Sequence, residues 1–537
     1  MPASSDQAVR PRLTVAMIVR DEQEVLADSL RSVRSIADEI VVLDTGSTDR
    51  TVAIAEQHGV RVSRTDWSSD FSAARNCCLC TAEGDWILWL DAGETLQQAS
   101  AEEVRGFVDL QADATKAYLM MLEVAAADAA ASAEQTMQLR LIPNRRDLRF
   151  SGRVRETLQP SIEAAGLETD AAPGRIFCHA RRNDPARKVL IAQRDLELAK
   201  LELEETDGDP AARLWLAMGE AYGNLSARDQ ARQAYRRVIA SVPPASTEML
   251  EAYYGLLATY DGDPFCREAQ LSTCVEALEV FPFDAQLLLA MGNYLQTANR
   301  LDLATRSFET AVRYGQVDLG IWHMSELTEV AADCLAIILQ IQGRNVEALR
   351  VLEDARQRCP DSIRLGRRLL DLYVRQDLCD EAVELADQLS THPDEREPLH
   401  DAVRGACKAA TKDWTAALGY LQSAYAAGCT DPICLRWLSV TLLSNGRVEA
   451  ARPVLAEWQQ VEPTDMELRA YLAAVVQRDE AVACEEPSEQ ETAADSLGRW
   501  YRVDPADWIP GTATPIFPIV SQTSSDEVDE AVVRREG

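Results

Sequence analysis

Glu39-Ile-Val-Val-Leu-Asp-Thr-Gly-Ser-Thr-Asp49 decides how the first part of the chain is read. Ile40 to Leu43 have no polar member. Such a run predicts a strand buried on both faces, not one with a wet side. Asp44 to Asp49 is turn chemistry, and its short hydroxyl and carboxylate side chains suit helix N-caps. Thr51 to His58 then predicts a helix. Before this stretch, Leu13-Thr-Val-Ala-Met-Ile-Val19 is β-rich, and Glu24 to Ile36 is helical with Val25, Leu26, Leu30 and Val33 on one face. After it come Val60-Arg-Val62, a helix from Phe71 to Thr81, and the apolar run Trp86-Ile-Leu-Trp-Leu90. Strands alternating with helices predict a Rossmann-like α/β domain whose parallel sheet is covered on both sides. Ligands in such sheets bind beyond the strand C-terminal ends, where every polar cluster named below falls.

The chain has 537 residues, which at about 100–200 residues per domain implies more than one core. Lys and Arg number 54 against 87 Asp and Glu, a net charge of -33. That balance excludes broad nucleic-acid binding, which needs clustered cations, and argues against adhesion to anionic lipid. No apolar run reaches the roughly 18–20 residues that span a bilayer. Leu13 to Val19 lacks a cleavage site and runs into Arg20-Asp21-Glu22, so it does not read as a secretion signal. Thirteen scattered cysteines predict a reduced, cytoplasmic protein in which cysteine is a small core residue.

From about Lys188 to Gln477 strand signals stop and helical periodicity continues. The window 212–245 carries Trp215, Met218, Gly219, Tyr222, Ala231, Tyr235 and Pro243; a second copy carries Leu288, Met291, Gly292, Ala304, Phe308 and Ala311. Starts near 212, 248, 285, 329, 363, 398 and 431 recur at the spacing of a helix-turn-helix repeat. Small residues let paired helices approach, and large ones fill the groove beside them. This half resembles the tetratricopeptide (TPR) family, about seven repeats in an all-α solenoid. The expected domains are a tail at 1–11, the α/β domain at 12–185, repeats at 186–478 and an acidic, turn-rich tail at 479–537. For that last tail, docking of Trp500, Tyr501, Trp508 and Phe517 on the final repeat and full disorder stand as equal readings.

Five stretches of the first half resemble family 2 glycosyltransferases of the GT-A fold, in particular those fused to TPR repeats. They are Met17-Ile-Val-Arg-Asp-Glu22, Val42-Leu-Asp-Thr-Gly-Ser-Thr-Asp49, Asp70-Phe-Ser-Ala-Ala-Arg-Asn76, Gly84-Asp-Trp-Ile-Leu-Trp-Leu-Asp-Ala-Gly-Glu94 and Phe150-Ser-Gly-Arg-Val-Arg-Glu156. The resemblance implies transfer of a hexose from a UDP-sugar with inversion, and places Arg20, Arg75 and Asn76 at the nucleotide. Glu22 and Asp44 end the first two strands and can accept from uracil N3–H or a ribose hydroxyl. Asp44 has no obvious structural partner in sequence. Ser47 and Asp49 read equally as donor contacts or as caps of the following helix.

Two departures stand out. Similar enzymes carry Asp-x-Asp where this chain has Asp91-Ala-Gly-Glu94, and the missing second carboxylate, here Gly93, normally binds Mn²⁺ or Mg²⁺. Relatives read Gly-Arg-Val-His-Glu where this chain has Gly152-Arg-Val-Arg-Glu156. Arg155 cannot ligate metal. Asp91 and His179 remain as metal candidates, with Asp91 also a ribose contact or catalytic acid. Two readings follow. Arginines of the cluster Arg140, Arg145, Arg146, Arg149, Arg153 and Arg155 replace the cation at the diphosphate, or the domain is a retired enzyme on a protein-binding scaffold. Those arginines read otherwise as a solvated basic loop. Glu156 aligns with the acid that deprotonates the acceptor. TPR grooves hold peptides, so the expected partner beside the nucleotide-sugar is a protein or peptide acceptor.

Overall fold

The computed structural model describes residues 10–125, 133–179, 184–208, 210–389, 393–461 and a helical fragment at 468–469, 471–473 and 475. The expected tail residues Trp500, Tyr501, Trp508 and Phe517 lie outside the described residues, as does the acidic run from Glu480.

The first half opens as β1 (Leu13–Val19), α1 (Leu26–Val33), β2 (Glu39–Asp44), α2 (Thr51–Gln57), β3 (Arg61–Arg64), α3 (Phe71–Leu79) and β4 (Trp86–Trp89). β3, β2, β1 and β4 are neighbours and all parallel, with Val19 level with Asp44 and Leu13 level with Trp86. Period two decides which side chain meets which core. Leu13, Val15, Met17 and Val19 of β1, with Ile40, Val42, Trp86 and Leu88, enter one buried cluster together with Leu26, Leu30 and Val33 of α1. Ala16, Val41, Leu43, Ile87 and Trp89 enter the opposite cluster with Ala74 and Cys78 of α3. Both faces are buried, which is why these strands carry no polar alternation.

The sheet then departs from a purely parallel one. β5 (Glu94–Leu96), α4 (Gln98–Leu110), β6 (Lys116–Val124), β7 (Glu134–Pro143), α5 (Gln159–Ala164) and β8 (Glu168–Cys178) extend it in the order β4-β7-β6-β8-β5. β7 runs antiparallel to β4 and β6, and β5 antiparallel to β8, so Glu94 lies opposite Cys178.

After the last of these strands the chain is helical: α6 (Pro185–Glu205), then pairs α7 (Ala212–Asn224) and α8 (Arg228–Ser241), α9 (Thr247–Ala258) and α10 (Arg267–Val280), α11 (Ala285–Thr297) and α12 (Leu301–Tyr314). A two-residue strand, β9 (His323–Met324), pairs with Glu134–Gln135 of β7. Further pairs are α13 (Leu327–Ile341) and α14 (Asn345–Arg358), α15 (Ile363–Arg375) and α16 (Cys379–Leu389), α17 (Pro393–Ala410) and α18 (Trp414–Ala426), α19 (Pro432–Ser444) and α20 (Val448–Val461). The packing explains the repeat signature. A Cβ on Gly219 would come within 2.7 Å of the Tyr235 ring, one on Gly292 within 2.3 Å of Phe308, and one on Gly405 within 2.6 Å of Leu421.

Two compact units result. One takes in the sheet, the helices through Leu287 and residues Val317–Ser325; the other takes in Leu288–Gln316 and the helices from Glu326 onward. Among the described residues no helix is long and apolar enough to cross a membrane, and no two cysteines form a disulfide.

Candidate active site

The loops leaving β1 and β2 are zipped together by short polar side chains. Asp21 sits at φ 54°, a left-handed conformation, and its carboxylate accepts from the Thr48 amide at 2.7 Å. The Ser47 hydroxyl accepts from the Asp21 amide at 3.0 Å. Asp49 accepts from the amides of Gln23 at 3.1 Å and Thr51 at 2.8 Å. Burial opposes ionisation of Asp49, but the hydrogen bonds from Thr51 and Gln23 outweigh it and hold its carboxyl below the ordinary 3.8.

Asp44, expected to lack a structural partner, has one. Its buried carboxylate accepts from the amides of Gly46 at 3.3 Å and Ser47 at 3.1 Å, closing the turn. Glu22 is met from outside the sheet domain, where Arg187 at the start of α6 donates to it at 2.6 Å. Arg20 is exposed at the carboxyl end of β1.

At the end of β4 the charges are bound differently. Asp70 caps α3 by accepting from the Ala73 amide at 2.9 Å, and one turn on, Arg75 faces the sheet edge. Its guanidinium pairs with Asp91 at 3.1 Å and with Glu156, and lies 4.4 Å from the centre of the Trp89 ring. Trp89 Nε1 donates to Asp91 at 2.9 Å. Arg140 of β7 donates to Glu94 at 2.7 Å and pairs with Asp91 at 3.4 Å. Two guanidiniums and three carboxylates leave a net charge of -1. Burial works against charge at Asp91, yet Arg75 and Arg140 outweigh it and hold its carboxyl below the ordinary range. Burial likewise disfavours charge on Arg75, but Asp91 and Glu156 keep it protonated. Asp91 is the open member, with 37% of its side chain exposed against 11% for Glu156.

The donor set fits a hard divalent cation poorly. Gly93 stands at φ +91°, and its carbonyl accepts from the His179 amide at 2.8 Å. A Cβ there would lie 3.7 Å from that of His179, so His179 adjoins the position of the missing carboxylate. Among the described residues no three His, Cys, Asp or Glu side chains form a group that could hold a metal ion. The Asp91 carboxylate already faces two guanidiniums, which would repel a cation bound there.

The expected arginine cluster does not converge. Arg140 serves Asp91 and Glu94, whereas Arg145 pairs with Asp147 at 2.6 Å and Arg149 donates to the Cys80 sulfur at 3.3 Å. Arg146 is exposed. Arg153 pairs with Glu205 of α6 at 2.7 Å. Arg155, at φ 49°, hydrogen-bonds Glu251 of α9 and lies 3.6 Å from Glu220 of α7. Burial alone would lower Arg155, but those two acids raise it. Both arginines thus face the first repeat helices. Asn76 also turns to structure: its amide group donates to the Phe150 carbonyl and accepts from the Phe150 amide, both at 2.8 Å.

The Gly152–Glu156 loop is held by the helices that follow the sheet. Val154 enters a buried cluster with Leu196, Leu214, Ala217 and Met218. Arg213 donates to the Val154 carbonyl at 2.9 Å, and its guanidinium lies where a Cβ on Gly152 would be, 2.6 Å away, with Gly152 itself at φ +101°. Glu202 accepts from the Arg153 amide at 2.7 Å. Asp195 of α6 is pushed up by burial, with Glu220 and Glu156 adding to the effect. Arg187, Glu202, Arg213 and Glu251 escape sequence reading because their partners in the sheet domain lie 49 to 165 residues away.

Residues 14–113 match Glycosyl transferase family 2. The N-terminal domain belongs to that family, and TPR-type helix pairs follow it. A TPR repeat-containing protein of Synechococcus elongatus is 42% identical over 157 residues, 29% of this chain and 38% of that protein. An uncharacterized glycosyltransferase of Rickettsia felis is 36% identical over 96 residues, 17% of this chain and 32% of that one. The chain thus spans about a third of the length of these relatives. Among solved structures, glucosyl-3-phosphoglycerate synthase from Mycobacterium tuberculosis with Mg²⁺ and UDP is 18% identical, over 21% of this chain and 43% of that one, at a TM-score of 0.18. A tetratricopeptide repeat protein from Parabacteroides merdae is 15% identical, over 48% and 98%, at a TM-score of 0.29.

Proposed function

We propose that the protein transfers a sugar from a UDP-sugar to an acceptor, with inversion and without a bound divalent cation, and that the repeats present a protein or peptide acceptor. The observation that carries this reading is Arg75, which joins Asp91 at the end of β4 to Glu156 across the same sheet edge. Glu156 is the base. It takes the proton of the acceptor nucleophile as that atom bonds to the anomeric carbon; the bond from that carbon to the diphosphate oxygen breaks, and UDP leaves with the electron pair. Asp91, the more exposed of the two acids, contacts ribose. The five-charge cluster is net anionic, so Arg75 and Arg140 balance the acids and not the leaving group. Arg20, exposed at the end of β1, is the cation assigned to the diphosphate.

A second reading, a scaffold without catalysis, is favoured by one observation. Asp44, Ser47, Asp49, Asn76, Arg153 and Arg155 all bond to the protein's own groups. Calorimetric titration of the full chain with UDP and UDP-glucose, in EDTA and then in Mn²⁺, separates the two. Heat in EDTA, unchanged by Mn²⁺, is expected. Binding that needs Mn²⁺ sinks the metal-free claim, and silence in both leaves the scaffold. Gly93→Asp should add Mn²⁺ dependence to a pocket that already binds UDP.

A further inference from the structure

Helices α6, α7 and α9 belong by sequence to the repeats, yet they bond to residues at two places along the carboxyl edge of the sheet, its two rims. On one rim Arg187 of α6 holds Glu22 at 2.6 Å. On the other, the residue preceding Glu156 is Arg155, bonded to Glu251 of α9. The backbone between is fixed as well: Glu202 of α6 accepts from the Arg153 amide, and Arg213 of α7 donates to the Val154 carbonyl. Val154 is 4% exposed inside the helical cluster. Arg155 holds a left-handed φ of 49°, a conformation an arginine keeps only where its surroundings impose it.

We infer that the first repeat helices are a structural part of the transferase site, with Arg187 positioning Glu22 for the donor, and Glu251, through Arg155, positioning Glu156 for the acceptor step. This rests on the donor and base assignments proposed above. Of these five side chains only Glu156 needs to touch the reacting atoms. A guanidinium bonded to a carboxylate fixes that carboxylate's direction, and a misplacement of about 1 Å in a catalytic group can lower turnover by about 10²-fold.

The two rims make separable predictions for the full chain. Arg187→Ala should weaken UDP binding by about tenfold, the loss of one charge-assisted contact. Glu251→Ala should leave UDP affinity within about twofold while lowering UDP-glucose hydrolysis, with water as acceptor, by about tenfold or more. Glu251→Gln still accepts from Arg155 and should restore most of the turnover. Should Glu251→Ala not fold, Arg155→Lys, which keeps the charge and loses the planar fork, should show the same split. A merely structural role would lower both quantities together or neither. Wild-type protein that binds no UDP overturns the parent reading. Wild-type binding and hydrolysis with all four variants unchanged, or with affinity and turnover falling in parallel, overturns this one.

Discussion

At the ends of β1 and β2, Asp21, Asp44 and Asp49 accept from backbone amides of their own and neighbouring loops; at the end of β4, Asp91 and Glu156 face the guanidiniums of Arg75 and Arg140. The same residue type does two jobs a few residues from the same sheet edge. Amide donors carry partial charge and short reach, so the first group sets loop shape. Guanidiniums carry full charge from helix α3 and strand β7, so the second group ties distant elements into one buried cluster. Removing a partner should therefore be costly in the second place and modest in the first.

The largest effect is expected from Arg75→Ala. It takes the guanidinium from buried Glu156 and leaves Asp91 with Arg140 and Trp89 alone, and loss of one member of a buried pair costs about 3–5 kcal/mol. Guanidinium unfolding followed by tryptophan fluorescence, with Trp89 against the missing side chain, should show the transition moved to lower denaturant. Arg75→Lys should lose less. An alanine variant as stable as wild type would mean the cluster contributes no cohesion. Next comes Asp44→Ala, which leaves the amides of Gly46 and Ser47 without their acceptor at a cost of about 1–3 kcal/mol. A loss equal to that of Arg75→Ala would erase the contrast between the rims.

The smallest expected effect is on acid sensitivity. The Asp91 carboxyl is held below the ordinary 3.8 by Arg75 and Arg140. A depressed carboxyl contributes stability that is present above its unfolded value and is lost as pH falls through its folded one. Wild type should therefore keep this contribution down to pH values below 3.8, and Arg75→Ala should begin acid unfolding at a higher pH. Identical acid limbs in a pH titration of near-UV circular dichroism would show that Asp91 draws its compensation elsewhere.

Legibility in the sequence follows physical range. β1, β2 and β4 are readable because burial on both faces removes polar residues, a signal confined to one short run. The Gly-to-large-residue pairs of the repeats are readable because Gly219 and Tyr235 meet across a single helix pair. β8 leaves no such signal, because Pro173 and Gly174 are residues that ordinarily interrupt a strand; Gly174 stands at φ +88° beside a register shift in the pairing with β6. The acids and arginines of the site were visible as residue types, but their pairings were not. Arg155 looked like a substitute for metal and is instead bound to Glu251, 96 residues on. Ion pairs at such separations leave no period, so nothing local distinguishes a phosphate-facing arginine from one facing a helix.

The small strand β9 has a bearing on how the protein is made. Gln135 of β7 meets His323 188 residues later, and the Met137 amide donates to the Leu319 carbonyl. During translation that stretch of β7 must wait, with its hydrogen-bonding edge open, until the ribosome has delivered β8, α6 and three further helix pairs. Unpaired edges recruit other strands. A gene fragment that stops after the last strand of the domain would keep that edge open for good, and the aggregates it forms would report on β9's role as a late-arriving seal.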